Sequence, residues 1–243
     1  AAEGIATLVS TGGWVSTWIL LRGLTRESRH WGRFPDTLRA ACGDAAVHAI
    51  DLPGNGSLCR LASPWRVADM AQNCHVQLRA RGIAPPYHVL AMSLGAMVAV
   101  EWARQYPEEI AGCVLINTSL RPFSPFHHRL RTRNYALLVR LLLGAEAAFR
   151  ERVILRLTSN RAENPEKVAE WADYARQNPV SAGNALRQLV AAARYTAPSA
   201  KPLAPVLILT SRNDRLVDSR CSHRLAERWG ASFAEHPTAG HDL

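Results

Sequence analysis

One serine lies where a purely structural serine is unusual, directly between a predicted buried strand and a predicted helix. The apolar run that begins near Tyr87 stops at Ser93, and a helix-compatible run follows from Leu94. The small residues Ala91 and Gly95 flank Ser93 at two positions on either side. This pattern predicts a sharp turn with Ser93 at its apex, beside the free N–H groups and partial positive charge of a helix N-terminus. A small core serine without chemistry is the alternative interpretation.

A serine hydroxyl becomes a nucleophile only when a base removes its proton, and that base needs an acid partner to hold its tautomer. The stretch Ala91-Met92-Ser93-Leu94-Gly95 resembles the nucleophile elbow of the α/β-hydrolases, usually written G-x-S-x-G, with alanine at the first position. The resemblance implies Ser93 as the nucleophile, followed along the chain by an acid and then a histidine.

The resemblance also implies an acid in the loop after a late strand, with an apolar residue three positions further on. Asp214 and Val217, which follow the predicted strand Val206–Thr210, match this pattern. Asp218 is the alternative acid. Its position favours a different role, the N-cap of the next helix.

The histidine implied by the resemblance is His241, which follows Gly240 just past the last predicted strand. It lies 27 residues after Asp214 (241 − 214), enough for one helix and one strand. His236, at the strand end, is the alternative. Family members usually have a helix after this histidine, so a chain that ended at Leu243 would be expected to hold His241 loosely.

The loop Arg22-Gly23-Leu24 resembles the His-Gly loop of the family. The resemblance implies that the backbone N–H groups of Leu24 and Leu94 form the oxyanion hole. Arginine replaces the usual histidine here. Arg22 is therefore expected either to change the loop and contact an anionic group, or to pair with a nearby carboxylate.

The stretch from Asp51 to Ser57 resembles the family's D-x-P-G-x-G-x-S segment, one residue short. We interpret it as a structural turn and not as a dinucleotide loop, since it has only G-x-G and no helix directly after it. The turn Thr11-Gly12-Gly13 lacks the spacing of a phosphate loop and is predicted to join two edge strands. The resemblance implies no metal and no organic cofactor.

Composition describes an ordinary globular chain of 243 residues, long enough for one α/β domain with an insertion. Five scattered cysteines without a C-x-x-C pair argue against a disulfide framework or a zinc site and favour a reducing, cytoplasmic location. No apolar run approaches the roughly 20 residues that span a bilayer. Nothing resembles a signal peptide, although the first residue is not Met.

The net charge of +9 is concentrated in residues 121–200. That segment has 13 basic and 6 acidic residues (+7), against 16 and 14 (+2) in the remainder. It contains no nucleic-acid-binding module, so we expect no nucleic-acid partner, and a solvated arginine-rich surface is the simplest interpretation. A carboxylate-bearing substrate or an acidic carrier protein is a sharper alternative.

Strand and helix patterns alternate along most of the chain. Further strands are predicted at Thr17–Leu21, Ala45–Ile50, Tyr87–Met92, Cys113–Ile116 and Ala231–Ala234, and helices at Phe34–Cys42, Leu94–Tyr106 and Asp218–Trp229, with one more opening at Ser63-Pro64 and closing at Gly82. This alternation indicates an α/β fold with a mostly parallel sheet and helices on both faces.

Between Pro122 and Ala200 only helical patterns occur, with caps predicted at Asn164 and Ser181. We therefore expect an α/β-hydrolase core over residues 1–120 and 201–243 and an inserted helical cap over 121–200. The apolar stripe of the cap favours an acyl or hydrophobic substrate, although packing on the core explains the same pattern. The stripe and its predicted neighbours at the entrance are Leu137, Leu138, Leu141, Leu142, Trp31, Phe123 and Phe126.

The expected activity is that of a serine hydrolase that cleaves carboxylic esters of a small or acyl substrate through an acyl-enzyme. Thioester, lactone or carbon–carbon hydrolysis on the same triad remains open, because one fold supports many reactions. A non-catalytic ligand-binding member of the fold is the alternative from another class. The sequence leaves the oligomeric state open.

Overall fold

A single parallel sheet organises the protein. The computed structural model describes residues 16–43, 45–142, 144, 146–161 and 164–242. Six strands pair in the order β2-β1-β3-β4-β5-β6, every pair parallel. The strands are β1 (Thr17–Leu21), β2 (Ala46–Ile50), β3 (Tyr87–Met92), β4 (Ile110–Ile116), β5 (Val206–Ser211) and β6 (Ser232–His236).

Helices connect these strands and fill the long interval between β4 and β5. The helices described are α1 (Phe34–Ala41), α2 (Val67–Ala80), α3 (Leu94–Gln105), α4 (Phe126–Arg129), α5 (Tyr135–Leu142), α6 (Ala147–Thr158), α7 (Pro165–Gln177), α8 (Ala182–Arg194) and α9 (Arg220–Trp229). Short 3₁₀ segments, which the residue pattern did not predict, occur at Ser28–Trp31, Gly56–Leu58, Pro107–Glu109 and Thr132–Asn134.

Alternate residues of each central strand enter two separate apolar clusters, one on each face of the sheet. In β1, Ile19 and Leu21 pack with α2, α3 and α9, whereas Trp18 and Leu20 pack with α1. The other central strands divide in the same way. Because both faces are covered, these strands are continuous apolar runs, as expected for a parallel sheet. The predicted α/β architecture is confirmed.

Most predicted boundaries agree with the structure to within a few residues, but the start of α2 was wrong. Ser63 does not cap this helix, which begins at Val67 after an extended Arg66. The Ser63 hydroxyl instead donates to the Pro53 carbonyl at 2.6 Å, and its N–H donates to the side chain of Asn184 at 2.9 Å. A tertiary contact therefore uses the serine that local preference would assign to a cap.

Two smaller differences occur near the site. β4 begins at Ile110, three residues before the predicted start, because it extends to pair with Tyr87. Ser219 occupies the N-cap position of α9, although Asp218 still accepts the Arg220 N–H at 3.1 Å. The turn predicted at Thr11-Gly12-Gly13 lies outside the described residues.

The segment between β4 and β5 is helical, as the residue pattern predicts. The side chain of Asn164 accepts the Lys167 N–H and that of Ser181 accepts the Asn184 N–H, so both predicted caps are present. The cap boundaries at 121 and 200 remain a prediction. Among the helices that the structure describes, none is long and apolar enough to cross a membrane.

Candidate active site

Ser93 occupies a strained turn between β3 and α3. Its φ of 54° and ψ of −116° lie where L-residues with side chains are uncommon, as in the serine turn of α/β-hydrolases. The Ser93 N–H donates to the Ile116 carbonyl at 2.9 Å, and its carbonyl accepts the Thr118 hydroxyl at 3.2 Å. The ends of β3 and β4 therefore hold the turn in place. The strained conformation persists because these surrounding contacts fix it.

Glycine is required beside this turn because two backbones approach closely. A Cβ at Gly95 would lie 2.6 Å from the Arg22 carbonyl oxygen and 2.8 Å from that of Leu21. A Cβ at Gly23 would lie 3.1 Å from the Cβ of Ser93. The small residues that the sequence places here thus bring the loop after β1 against the Ser93 turn.

That loop contains Leu24, whose N–H is the first predicted oxyanion donor, and it is fixed by side-chain amides. The N–H of the neighbouring Thr25, which has φ 57°, donates to Gln188 Oε1 at 2.8 Å. Asn55 donates to the Arg26 carbonyl at 3.0 Å and accepts a bond from Gln188 at 2.8 Å. Gln188 is fully buried and belongs to α8. A side chain of the helical segment therefore holds the loop after β1 in place.

Leu94, whose N–H is the second predicted donor, is the first residue of α3. The N–H of a first helical residue has no acceptor within its own helix. Leu24, Ser93 and Leu94 all line one cavity. The two N–H groups therefore belong to segments that meet at Ser93, and their role as oxyanion donors stays a prediction.

Asp214 and His241 lie together at the same edge of the sheet. His241 Nδ1 is 2.7 Å from Asp214 Oδ2, and both side chains are buried. Burial opposes protonation of His241, but the charge and hydrogen bond of Asp214 outweigh it and raise the pKa of this imidazole. His241 and Ser93 line the same cavity.

The alternative acid and base lie in other contacts. The Asp218 carboxylate pairs with Arg220 at 2.8 Å and with Arg131 at 3.5 Å, and its pKa is lowered mainly by Arg220. His236 is exposed and accepts the N–H of Ala239 at 3.0 Å. The structure therefore brings Asp214, and not Asp218, to His241.

Asn117 connects the histidine loop to the sheet, and the residue pattern did not indicate it. It follows β4 directly, has φ 46° and is almost fully buried. Its Nδ2 donates to the His241 carbonyl at 2.6 Å, while its Oδ1 accepts the Ser211 N–H at 2.8 Å. Asn117 thus ties the backbone of His241 to the ends of β4 and β5. An asparagine after a predicted strand, where positive φ is tolerated, is the only local signal.

A second asparagine joins the acid and histidine loops from the helical segment. Asn160, just after α6, directs its Nδ2 toward the carbonyls of Asn213 at 3.1 Å, Thr238 at 3.1 Å and Ala239 at 2.9 Å. Nearby, the Asp242 N–H donates to the Thr158 carbonyl at 2.9 Å. A Cβ at Gly240 would come within 2.3 Å of that carbonyl. The end of α6 and the histidine loop are therefore in tight contact.

Arg22 pairs with a carboxylate, one of the two outcomes expected from the sequence. Its Nη2 donates to Asp242 Oδ1 at 2.7 Å, and its guanidinium lies 4.9 Å from the ring centre of Trp31. Burial raises the pKa of Asp242, but Arg22 and His241 outweigh it, so this carboxyl group titrates below its ordinary value. The partner residue follows His241 in the chain and was not identified from sequence.

A cavity of about 660 Å³ opens beside Ser93, and the helical segment forms much of its wall. Leu138, Leu141 and Leu142 of the predicted stripe line it, but Leu137 does not. Phe126 also lines it and is 70% exposed, at the solvent side. The wall is mainly apolar, so it suits a hydrophobic or acyl group.

The other two aromatic residues predicted at the entrance lie elsewhere. Phe123 packs edge-to-face on Trp229, with ring centres 5.8 Å apart. Trp31 is buried beneath Arg22 and stacks on Phe34 at 5.3 Å. Neither is part of the cavity wall, since each fills space between a loop and a helix. Over the described ranges, no three His, Cys, Asp or Glu side chains are grouped as metal ligands.

The parallel sheet, the strained serine turn and the residues gathered at its carboxyl edge define an α/β-hydrolase architecture. A family model described as "Alpha/beta hydrolase family" matches residues 12–243. The chain belongs to the alpha/beta hydrolase family.

Curated relatives extend over most of the chain. It is 28% identical over 236 residues to a protein of Variovorax paradoxus (strain S110) named "Putative carbamate hydrolase RutD", covering 93% of this chain and 80% of that protein. A protein of the same name from Cronobacter turicensis is 31% identical over 230 residues, covering 91% of this chain and 82% of its own length.

Solved structures share the fold at low sequence identity. The enol-lactonase from Burkholderia xenovorans LB400 superposes with a TM-score of 0.76 at 15% identity, covering 94% of this chain and 85% of that chain. A thermophilic esterase from Thermogutta terrifontis gives a TM-score of 0.71 at 19% identity, covering 94% and 84%. At these identities the similarity shows the fold alone.

Proposed function

We propose that the protein is a serine hydrolase that cleaves carboxylic esters of an acyl or other hydrophobic substrate. The observation that carries this proposal is the buried Asp214–His241 hydrogen bond of 2.7 Å, beside a cavity that Ser93 also lines. A carboxylate at this distance holds the imidazole in one tautomer, with Nδ1–H toward Asp214 and Nε2 available as a base.

The proposed reaction has two halves. Ser93 attacks the ester carbonyl while His241 takes the hydroxyl proton, and the N–H groups of Leu24 and Leu94 hold the developing oxyanion. His241 returns the proton to the leaving alcohol, and water then hydrolyses the acyl-enzyme by the same steps. Each backbone donor is expected to contribute about 3–4 kcal/mol to the stability of the transition state.

Carbamate cleavage is the second candidate, and the relatives named "Putative carbamate hydrolase RutD" favour it. A carbamate carbonyl can be attacked by the same serine, so the triad does not separate the two substrates. The extent and apolar wall of the cavity support the ester candidate, because they suit an acyl chain better than a small polar group. Thioesters and lactones belong in the same comparison.

Labelling with a fluorophosphonate probe tests the nucleophile. Wild type should be labelled and Ser93→Ala should not, while Ser232→Ala, at an exposed position of β6, should be labelled like wild type. Loss of the nucleophile should lower kcat for p-nitrophenyl esters by about 10⁵–10⁶-fold. A folded wild-type protein that takes no label and cleaves no ester would contradict catalysis and favour a ligand-binding role.

A substrate panel tests the bond that is cleaved. We expect kcat/KM to rise from acetyl to octanoyl p-nitrophenyl esters and to exceed that for N-alkyl carbamates of equal length. The opposite order would assign the protein to carbamate hydrolysis. Interaction with an acidic carrier protein stays a prediction, which a fall in kcat/KM with salt for a carrier-bound but not a neutral ester would support.

A further inference from the structure

Two buried arginines form a polar end to the otherwise apolar cavity. Arg22 and Arg26 belong to the loop after β1, each is 7% exposed, and both line the cavity with Ser93. Arg22 directly precedes Gly23, which packs against Ser93. A polar group that reaches these arginines would therefore belong to the molecule whose carbonyl reaches Ser93.

Each guanidinium leaves a buried N–H group without a hydrogen bond. Arg26 Nη1 donates to Glu151 Oε2 at 2.5 Å, and Arg22 Nη2 donates to Asp242 Oδ1 at 2.7 Å. Among the described residues, Arg26 Nη2 and Arg22 Nε have no partner, although both atoms are buried. Unpaired buried donors of charged groups are costly, so each one calls for a partner such as a bound ligand, an ion or a water molecule.

Around the two arginines, positive charges outnumber negative charges. Glu27, which also lines this part of the cavity, is paired with Arg29. Three further guanidinium groups, those of Arg22, Arg26 and Arg150, face two carboxylates, Glu151 and Asp242. Arg150 Nε lies 3.8 Å from Glu151 Oε1, so it shares the carboxylate that Arg26 also uses. This end of the cavity has one positive charge in excess.

His30 lies beside the same arginines and is itself uncharged. Its Nε2 lies 2.9 Å from Arg26 Nη1, and its Nδ1 lies 3.2 Å from the Glu27 carbonyl. Burial and, to a smaller extent, the charges of Arg26 and Arg22 together lower the pKa of His30 to about 2. His30 is therefore neutral and can accept a hydrogen bond from Arg26.

We propose that the substrate is an ester with a free carboxylate, which binds at Arg26 and Arg22 while its scissile carbonyl lies at Ser93. Inside an apolar cavity, a charge-assisted hydrogen bond to a guanidinium is strong and directional. A monoanion neutralises the single excess charge. A phosphate monoester brings about −1.5 to −2 charges and would leave negative charge buried. This inference rests on the proposed function for the position of the carbonyl.

Matched ester pairs test the preference. Monomethyl esters of C4–C8 dicarboxylic acids and methyl alkanoates of equal length differ only in the terminal carboxylate, and release of acid can be followed in a pH-stat. We expect kcat/KM to be roughly 10–100-fold higher for the best carboxylate ester than for its neutral partner. Equal rates for every pair would overturn the proposal while leaving ester hydrolysis intact.

Substitutions at the arginine and at its carboxylate partner should act in opposite directions. The double variant Arg26→Met/Glu151→Gln removes both charges of the pair, so it avoids leaving Glu151 buried alone, and it should abolish most of the preference. Glu151→Gln alone frees Arg26 from competition and should increase the preference. A purely structural role would lower the rates of both esters in both variants. Arg39→Met, on the exposed side of α1, is the matched control.

Binding to the Ser93→Ala variant separates this proposal from the proposed function. Calorimetry with monomethyl glutarate should show binding that is at least tenfold weaker in the Arg26→Met/Glu151→Gln background. Carboxylate binding in a protein that takes no fluorophosphonate label would support the anion site and contradict catalysis. Labelling and neutral-ester hydrolysis without carboxylate binding would contradict the anion site alone.

Discussion

The sheet and the helical segment between β4 and β5 hold the site by different contacts. At the sheet, apolar strands and close backbone packing define the Ser93 turn, and its neighbours Ala91 and Gly95 are small and buried. The helical segment contributes two side-chain amides. Gln188 accepts a hydrogen bond from the loop after β1, and Asn160 donates to the loops that contain Asp214 and precede His241. Its helix α5 has no buried residue at all.

This difference indicates that Ser93, the proposed nucleophile, is positioned locally, whereas His241, the proposed base, and the loop of Leu24, a proposed oxyanion donor, depend on distant side chains. A defect in the sheet should therefore lower stability and activity together. A defect in the helical segment should lower activity with a smaller loss of stability. Three variants test this contrast, in order of decreasing expected effect on activity.

Asp214→Asn should have the largest effect of the three. The substitution replaces the charged carboxylate that accepts the His241 Nδ1–H by a neutral amide. The tautomer and the imidazolium both lose stabilisation, so kcat should fall by about 10⁴-fold. Protonated His241 cannot act as a base, so kcat/KM of wild type should fall on acidification through a pKa above the ordinary 6.5. Because Asp214 raises that pKa, this acid limb should move to lower pH in the variant. A pH–rate profile measures the shift, and a limb that stays in place would contradict the assignment of Asp214.

Gly95→Ala tests positioning by the sheet. The new Cβ would collide with the carbonyl of Arg22, and overpacking against backbone should lower the free energy of unfolding by about 1–3 kcal/mol. Gly183→Ala in α8 is the matched control, since its Cβ meets only Ser181 Oγ at 3.8 Å and alanine favours the helix. Gly95→Ala should unfold at a lower urea concentration than wild type and should be labelled more slowly by the fluorophosphonate. Gly183→Ala should match wild type in both measurements.

Asn160→Ala tests positioning by the helical segment. Loss of the bonds to the acid and histidine loops should lower kcat by roughly 10–100-fold, with KM and melting temperature little changed. Asn164→Ala removes only the cap of α7, at about 1 kcal/mol, and should leave kcat near wild type. Equal kcat in the two variants would show that the loops need no support from this segment.

The sequence by itself determined the order of strands and helices, the Ser93 turn and the residues that are candidates for its partners. These features depend on local rules: apolar runs form buried strands, and small residues permit close backbones. The same rules misplaced the start of α2, because Ser63 is used in a contact with Asn184 that is 121 residues away.

Only the tertiary structure decided which candidates meet. It brought Asp214 and not Asp218 to His241, joined Arg22 to Asp242 across 220 residues, and gathered Asn117, Asn160 and Gln188 behind the site. Polar side chains have no periodic pattern that identifies a distant partner. Their bonds depend on how the apolar strands and helices pack, so the fold could be predicted from local chemistry, whereas the hydrogen bonds that position the site could not.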